Sequence, residues 1–198
     1  MRLGRVEVTG GFLLLLAWLN YLDRSFLVPM VLLACGAHEL GHIAAIRQLG
    51  GTINGINLTA VGAELVLARP LAYWQEGLSA LAGPGINLLL ALASCHFALT
   101  FAGLNLALAL FNLLPVGRLD GGRAVYCTLA LLAGPGPADR VRRWLDCLCT
   151  AAVMAAGLLL AFCSGNITLL LAAFWLLAVF MRQNIGNRTC QRGGKKVQ

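Results

Sequence analysis

Charged side chains are scarce in this chain: they make up 12% of its 198 residues, with eight acids against fifteen bases. Soluble domains carry about 25% charged residues. Because 59% of the residues are apolar and the mean hydropathy is +0.79, too little polar surface is left to cover a water-soluble globule. The composition excludes an ordinary soluble domain and favours the lipid bilayer as solvent. The length leaves room for roughly five or six membrane helices of ~20 residues and for no separate soluble domain.

Other features are missing as well. There is no CxxC pair, and the seven cysteines lie mostly inside apolar runs, where a thiol behaves as a small hydrophobic group, so we expect no disulfide framework. The net charge of +7 comes from short basic clusters and not from one stripe, so we expect no nucleic-acid partner. Arg2 and Arg5 precede the first apolar run, but no small-residue cleavage site follows. We therefore predict a retained membrane helix and not a removed secretory signal.

Six apolar stretches predict an all-α integral membrane bundle of about six transmembrane helices. They cover residues 6–22, 25–46, 73–99, 103–132, 145–163 and 167–181. We interpret residues 1–181 as one membrane-embedded domain, with its core over about 31–132, and residues 182–198 as a basic cytoplasmic tail.

The distribution of basic residues predicts the orientation. With a cytoplasmic N-terminus, twelve of the thirteen bases in loops and tail fall on the cytoplasmic side, and only Arg24 falls outside. We therefore expect a multi-pass protein with both termini cytoplasmic, in a bacterial inner membrane. Residues 51–69 alternate apolar with polar side chains, which predicts a small interfacial β-hairpin between the second and third helices. Residues 134–137 (GPGP) predict a helix breaker before a basic turn.

The second stretch contains the sequence CGAHELGH at residues 35–42. On a helix, positions four apart share a face, so His38 and His42 can direct two imidazole nitrogens at one metal ion, while Glu39 projects from the neighbouring flank. Zinc lowers the pKa of water, and a carboxylate outside its coordination sphere can remove the proton and deliver it to a leaving amine. The alternative, three polar groups merely bonded to one another, would place costly groups in lipid for no gain.

Two ligands make a poor zinc site, since catalytic zinc usually has three protein ligands. Asp120 is the candidate for the third, within FNLLPVGRLDGGR at residues 111–123. Pro115 and the glycines should break the helix here, and broken backbone at membrane depth must be buried in protein or line a wet cavity. Counted at ~1.5 Å per residue from the cytoplasmic ends, His38 and Asp120 lie at depths of ~14 Å and ~18 Å. The two could meet.

Several residues keep two interpretations. The aspartate could instead form an ion pair with Arg118 or Arg123 at the kink. Asn112 and Pro115 could serve only the kink, Asn112 satisfying a freed backbone group, or Asn112 could polarise a substrate. Asn87 is expected to hydrogen-bond between helices, and direct substrate contact is its alternative.

With HELGH in one membrane helix and NLLPVGRLDGG in a later one, the sequence resembles the site-2 protease family of intramembrane zinc metalloproteases, closest to the small sporulation-type branch that processes a sigma factor precursor. The positions matching the family's zinc ligands are His38, His42 and Asp120. Glu39 matches the catalytic base, and Asn112 and Pro115 match the Asn and Pro ahead of the aspartate. The resemblance implies one Zn²⁺ per chain.

The resemblance covers roughly residues 31–132 and has departures. Arg118 stands where this branch often has a second proline. We expect no PDZ or CBS domain, so sensing would fall to inhibitory or sensing membrane subunits. The hairpin at 51–69 lies where family members have a β-element thought to hold the substrate as an added strand.

The predicted function is hydrolysis of a peptide bond in or next to the membrane segment of a tethered protein substrate, such as a sigma factor precursor, near the cytoplasmic side. A helical segment would first have to unwind, because its carbonyls are hydrogen-bonded and shielded. Two alternatives remain open: a metal transporter using the same His and Asp side chains, and a proteolytically silent binding module. The intact Glu39 argues against the second.

Overall fold

The computed structural model describes residues 2–3, 6–8, 17, 21, 23, 26–59, 62–117 and 119–164. The predicted helix at 167–181, the tail, Arg118 and most of the first apolar stretch lie outside these residues. The described elements, in chain order, are β1 (Arg2–Leu3), β2 (Val6–Val8), α1 (Leu27–Gln48), β3 (Ile53–Thr59), β4 (Gly62–Leu67), α2 (Tyr73–Ser94), α3 (Leu99–Asn112), α4 (Asp120–Ala133) and α5 (Pro135–Ser164).

The predicted hairpin is present as β3 and β4, which pair antiparallel with Ile56 opposite Leu65. It belongs to a larger sheet of order β1-β2-β3-β4, in which β2 runs parallel to β3. The prediction of a helix over the whole stretch 6–22 is therefore wrong for Val6–Val8. These residues alternate apolar and polar side chains, the period of a strand, and gain ladder hydrogen bonds from β3. Among the described strands, β4 forms the edge that follows β3.

The helices have the composition of a membrane protein. In the described part of the chain, α1, α2 and residues Pro135–Cys163 of α5 are long and apolar enough to cross a bilayer. Large apolar side chains face outward, with Leu92 72% and Phe162 83% exposed, whereas small residues such as Ala80 and Ala109 are fully buried. Small residues between helices and large apolar ones outside are typical of packing in lipid.

The predicted break in the fourth stretch is confirmed, because α3 ends at Asn112 and α4 begins at Asp120. The intervening turn folds back on the start of α4. There the carbonyls of Leu113 and Val116 pack so tightly against Gly121 and Gly122 that a Cβ at either glycine would overlap them. The glycines therefore permit the close approach that places Asp120 at the first turn of α4.

The predicted breaker at 134–137 is only partly present. Gly134, with φ of 85°, ends α4, but α5 begins at the next residue, Pro135. Proline suits the first position of a helix, because its missing N–H has no partner there in any case. The basic segment that follows is consequently helical, and α5 starts ten residues before the predicted stretch at 145.

Helix α2 packs against α1, α3 and α4. It continues through Pro84 and ends at Ser94, short of the predicted 99. Gly41 of α1 faces the backbone of Ala82, and Gly83 of α2 lies so close to the His42 ring that a Cβ there would overlap it. The two helices therefore approach closely through glycine at the HELGH segment itself.

Candidate metal centre and active site

His38, His42 and Asp120 converge at one point inside the helix bundle. The Nε2 atoms of the two imidazoles are 3.1 Å apart, and Oδ2 of Asp120 lies 3.0 Å from His38 Nε2 and 3.2 Å from His42 Nε2. All three residues are buried, each no more than 7% exposed. The predicted meeting of the aspartate with the imidazole pair is observed.

The other nitrogen of each imidazole is held by a neighbouring helix. His38 Nδ1 lies 2.6 Å from Oδ1 of Asn87, and His42 Nδ1 lies 2.7 Å from the carbonyl oxygen of Ser79. A carbonyl oxygen can only accept, so we infer that both Nδ1 atoms carry the proton and donate. The Nε2 atoms then present lone pairs to the centre, which is the tautomer that binds a metal.

This arrangement fits a zinc ion. With both Nδ1 atoms protonated, two imidazole lone pairs and a carboxylate oxygen face one another, and a metal cation between them would satisfy all three acceptors. Ligand atoms at ~2.0–2.1 Å from tetrahedral zinc are separated by ~3.4 Å, close to the observed spacing. Of the described residues, only this His38, His42 and Asp120 group has three potential metal-binding side chains together.

Asn87 is fully buried and fully hydrogen-bonded. Its amide nitrogen donates to the carbonyl of Ala34 at 3.1 Å and to Oδ1 of Asn105 at 2.7 Å, while its oxygen faces His38. The expected interhelical bond is therefore present. The alternative interpretation, direct contact of Asn87 with the substrate or its oxyanion, does not suit this geometry, because both amide hydrogens are already donated inside the bundle.

Asp120 also has a basic neighbour. Its Oδ1 atom lies 3.8 Å from Arg123, whose guanidinium is 3.5 Å from Glu76 of α2. The two interpretations of the aspartate are thus compatible: one carboxylate oxygen faces the imidazoles, and the other faces Arg123. The Arg123 contact orients the carboxylate, and the pair between Arg123 and Glu76 links α4 to α2.

Glu39 lies beside the convergence point but outside it. The side chain is half-buried and interacts electrostatically with His38, His42, Asp120 and Arg123. Within the residues that the structure describes, its carboxylate has no hydrogen-bond donor within reach. An unengaged carboxylate next to a metal centre is suited to accept a proton.

The turn between α3 and α4 is anchored to α5. The backbone N–H of Gly117 donates to Oδ1 of Asp146 at 2.5 Å, and Asp146 is 3% exposed. Val116 and Leu119 form a small buried apolar cluster that packs against Val153, among others. The turn is therefore held to α5 both by a buried hydrogen bond and by apolar packing.

Asn112 is the last residue of α3 before the helix break, and Pro115 lies within the break. The amide of Asn112 donates to the carbonyl of Leu108 in its own helix at 3.0 Å, which matches the kink interpretation and uses one of its two amide hydrogens. Pro115 lies in the turn itself, where it cannot donate a backbone hydrogen bond.

Sequence reasoning missed Asn105 and Asp146. Asn105 lies in the middle of the apolar helix α3, and the cost of a polar group in lipid, which drew attention to Asn87, applies to it equally. Asp146 is the second residue of the predicted apolar stretch 145–163. It is an interior residue because α5 begins at Pro135.

Comparisons with known proteins found two relatives in sequence and one in structure. Rip3 of Mycobacterium tuberculosis is 32% identical over 142 residues, covering 61% of this chain and 34% of that protein. The protein sll0528 of Synechocystis sp. is 31% identical over 172 residues, covering 76% of this chain and 43% of that protein. Both are provisionally named zinc metalloproteases, and the chain spans less than half of their length. No protein-family model matches the chain.

The solved structure of the site-2 protease from Methanocaldococcus jannaschii matches with a TM-score of 0.66 at 21% identity, covering 92% of each chain. The chain therefore has the site-2 protease fold. The resemblance to this family that the two motifs indicated is confirmed by the sequence relationship and by the fold together.

Proposed function

We propose that this protein is an intramembrane zinc metalloendopeptidase that cleaves a membrane-associated protein substrate near the cytoplasmic side. The observation that carries the proposal is the convergence of His38, His42 and Asp120 within 3.2 Å of one another. These three residues would hold one Zn²⁺ per chain. Zinc bound by three protein ligands keeps one open position, where it acts as a Lewis acid and lowers the pKa of water.

Glu39 is the proposed general base. Its position next to His38 in the chain brings the carboxylate near the centre, and its lack of a hydrogen-bond donor among the described residues leaves it free to take a proton from the attacking water. The same carboxyl group would then donate that proton to the leaving amine. Asn112 retains one amide hydrogen, which could stabilise the developing oxyanion, and Pro115 would shape the turn that presents it.

The substrate would bind as an extended strand. A helical segment hides its carbonyls in hydrogen bonds, so hydrolysis requires local unwinding. Strand β4 pairs with β3 on one side, and among the described residues no strand pairs with its other side. An unpaired edge of this kind can accept a peptide by strand addition.

The finer assignments rest on the motifs and the charge pattern. We propose six transmembrane helices, the sheet at the cytoplasmic interface, cytoplasmic termini and a bacterial inner membrane. The proposed substrate is a membrane-tethered transcription regulator such as a sigma factor precursor, as part of regulated intramembrane proteolysis, with inhibitory or sensing subunits as further partners. The sporulation role rests on the resemblance of HELGH and NLLPVGRLDGG alone.

The test is the Glu39→Gln variant, co-expressed with a tethered substrate. It should abolish cleavage while zinc stays bound at one per chain, because the variant removes the base and leaves the three ligands. Asp139→Asn is a matched control that should cleave normally, since among the described residues Asp139 forms an ion pair with Arg142 alone, at 3.3 Å within α5. Continued cleavage by Glu39→Gln would disprove the mechanism. Zinc transport by the parent protein in vesicles would favour a transporter.

A further inference from the structure

We propose that Asn105 is a positioning residue of the metal centre: it fixes the orientation of the Asn87 amide and thereby directs the Nε2 lone pair of His38 toward the metal. The inference deepens the proposed function and rests on its assignment of His38 as a ligand. Asn105 lies on α3, which contributes none of the three proposed ligands.

The argument starts from the contact between Asn87 and His38. The Asn87 oxygen, 2.6 Å from Nδ1, can only accept, so it holds the proton on Nδ1 and leaves Nε2 free to bind. If the amide rotated by half a turn, its N–H₂ would face Nδ1. The imidazole proton would then move to Nε2, and His38 could no longer bind a metal through that atom.

Two acceptors on the opposite side oppose this rotation. The Asn87 nitrogen lies 2.7 Å from Oδ1 of Asn105 and 3.1 Å from the Ala34 carbonyl. Rotation would bring the Asn87 oxygen against both, and repulsion between buried acceptors is costly where water cannot intervene. Asn105 provides the shorter contact. The Ala34 carbonyl already lies within a helix, so Asn105 is the acceptor dedicated to this amide.

The orientation of Asn105 is fixed in turn by its own helix. Its amide nitrogen donates to the carbonyl of Phe101, one turn earlier, at 2.9 Å, so its oxygen must face Asn87. Asn87 and Asn105 are both completely buried. Each group therefore donates to the next in the order His38, Asn87, Asn105 and the Phe101 carbonyl, so the chain of hydrogen bonds runs in one consistent direction from the metal centre to the α3 backbone.

The prediction is a change in metal affinity and not only in activity. Asn105→Leu removes the acceptor with little change in volume and should weaken zinc binding about 10- to 100-fold, the usual effect of losing a partner behind a metal ligand. Asn105→Asp keeps an oxygen facing Asn87, and its protonated form can also donate to the Phe101 carbonyl. Zinc affinity in this variant should therefore be within a few-fold of the parent. Ser94→Ala is the control. Ser94 is buried on α2, and its hydroxyl donates to the carbonyl of Leu90 in its own helix.

The experiment measures zinc affinity of the full chain in detergent by competition with a chelator, and the visible absorption spectrum of the Co²⁺-substituted protein. Weaker binding and an altered Co²⁺ spectrum in Asn105→Leu, with both restored in Asn105→Asp, would support the proposal. Affinity and spectrum equal to the parent in Asn105→Leu would overturn it, even if activity fell. Asn105→Ala removes the same acceptor without new bulk and replaces the Leu variant if that variant does not fold.

This outcome is separable from the fate of the proposed function. If the parent binds zinc but does not cleave a tethered substrate, the peptidase assignment fails while the positioning role of Asn105 can still be measured. If the parent cleaves and Asn105→Leu binds zinc like the parent, only the positioning role fails.

Discussion

Oδ2 of Asp120 lies 3.0 Å from Nε2 of His38, although Asp120 begins α4 and His38 lies within α1. Neither atom has a proton to share once His38 donates through Nδ1 to Asn87. Two acceptors at this distance repel each other unless a proton or a metal cation lies between them. The helix break at residues 113–119 is what allows the contact, because it places the first turn of α4 beside α1.

The first prediction concerns the charge of the third ligand. Asp120→Asn keeps the size of the side chain but removes the negative charge. Zinc affinity should fall more than about 100-fold, beyond the effect typical of outer contacts, and cleavage of a tethered substrate should be lost. Equilibrium dialysis with metal analysis measures the affinity, with Asp139→Asn as the matched control. A variant that retains one tightly bound zinc would remove Asp120 from the ligand set.

The second prediction concerns metal removal. Treatment with a chelator should stop cleavage, and added Zn²⁺ should restore it. Chelator treatment should also lower the midpoint of thermal unfolding, because a ligand present at 100 times its dissociation constant stabilises the folded state by about 2.7 kcal/mol. The His42→Ala variant, which lacks one ligand, should show little further shift on chelation. An equal shift in both proteins would indicate that the stabilising metal binds elsewhere.

The third prediction uses two glycines of α2. A Cβ on Gly83 would overlap the His42 ring and also approach His38, whereas a Cβ on Gly85 meets nothing within 4 Å. Gly83→Ala should therefore displace the imidazoles and lower both zinc affinity and activity. Gly85→Ala should leave zinc affinity and activity unchanged. It is a matched control for Gly83→Ala, since alanine favours the helix equally at the two positions. Metal affinity and cleavage rate are the measurements; a Gly83→Ala protein indistinguishable from Gly85→Ala would contradict the packing.

Local spacing explains why much of the site could be predicted from the sequence. Positions four apart on a helix share a face whatever surrounds them, so His38 and His42 form a pair from the motif alone. Asp120 followed from the cost of an acid in lipid and from the residues that break its helix. The depth of both groups, counted along their helices, was sufficient to predict that they meet.

Other features depend on contacts between distant segments and could not be read locally. The pairing of Val6–Val8 with β3 is fixed by a partner far along the chain, while the surrounding apolar run favours a helix. The roles of Asn105 and Asp146 likewise depend on partners in other helices, Asn87 and Gly117. Their residue types signal that a partner exists but do not identify it.

The last prediction concerns the anchor of the broken turn. The Asp146 carboxylate accepts the backbone N–H of Gly117 in a buried site. Asp146→Leu leaves that N–H without its partner and should lower the free energy of unfolding by about 1.5–3 kcal/mol, the usual value of a hydrogen bond to a charged group. Asp146→Asn retains an acceptor oxygen and should lose much less.

The two variants separate an anchoring role from simple core packing, because Leu fills the space as well as Asn does. Thermal unfolding in detergent gives the stability, and zinc affinity reports whether Asp120, which follows the turn, keeps its place. We expect Asp146→Leu to weaken zinc binding as well as the fold, since the turn sets the start of α4. If Asp146→Leu proved as stable as Asp146→Asn and bound zinc equally well, the hydrogen bond to Gly117 would not be what holds the turn.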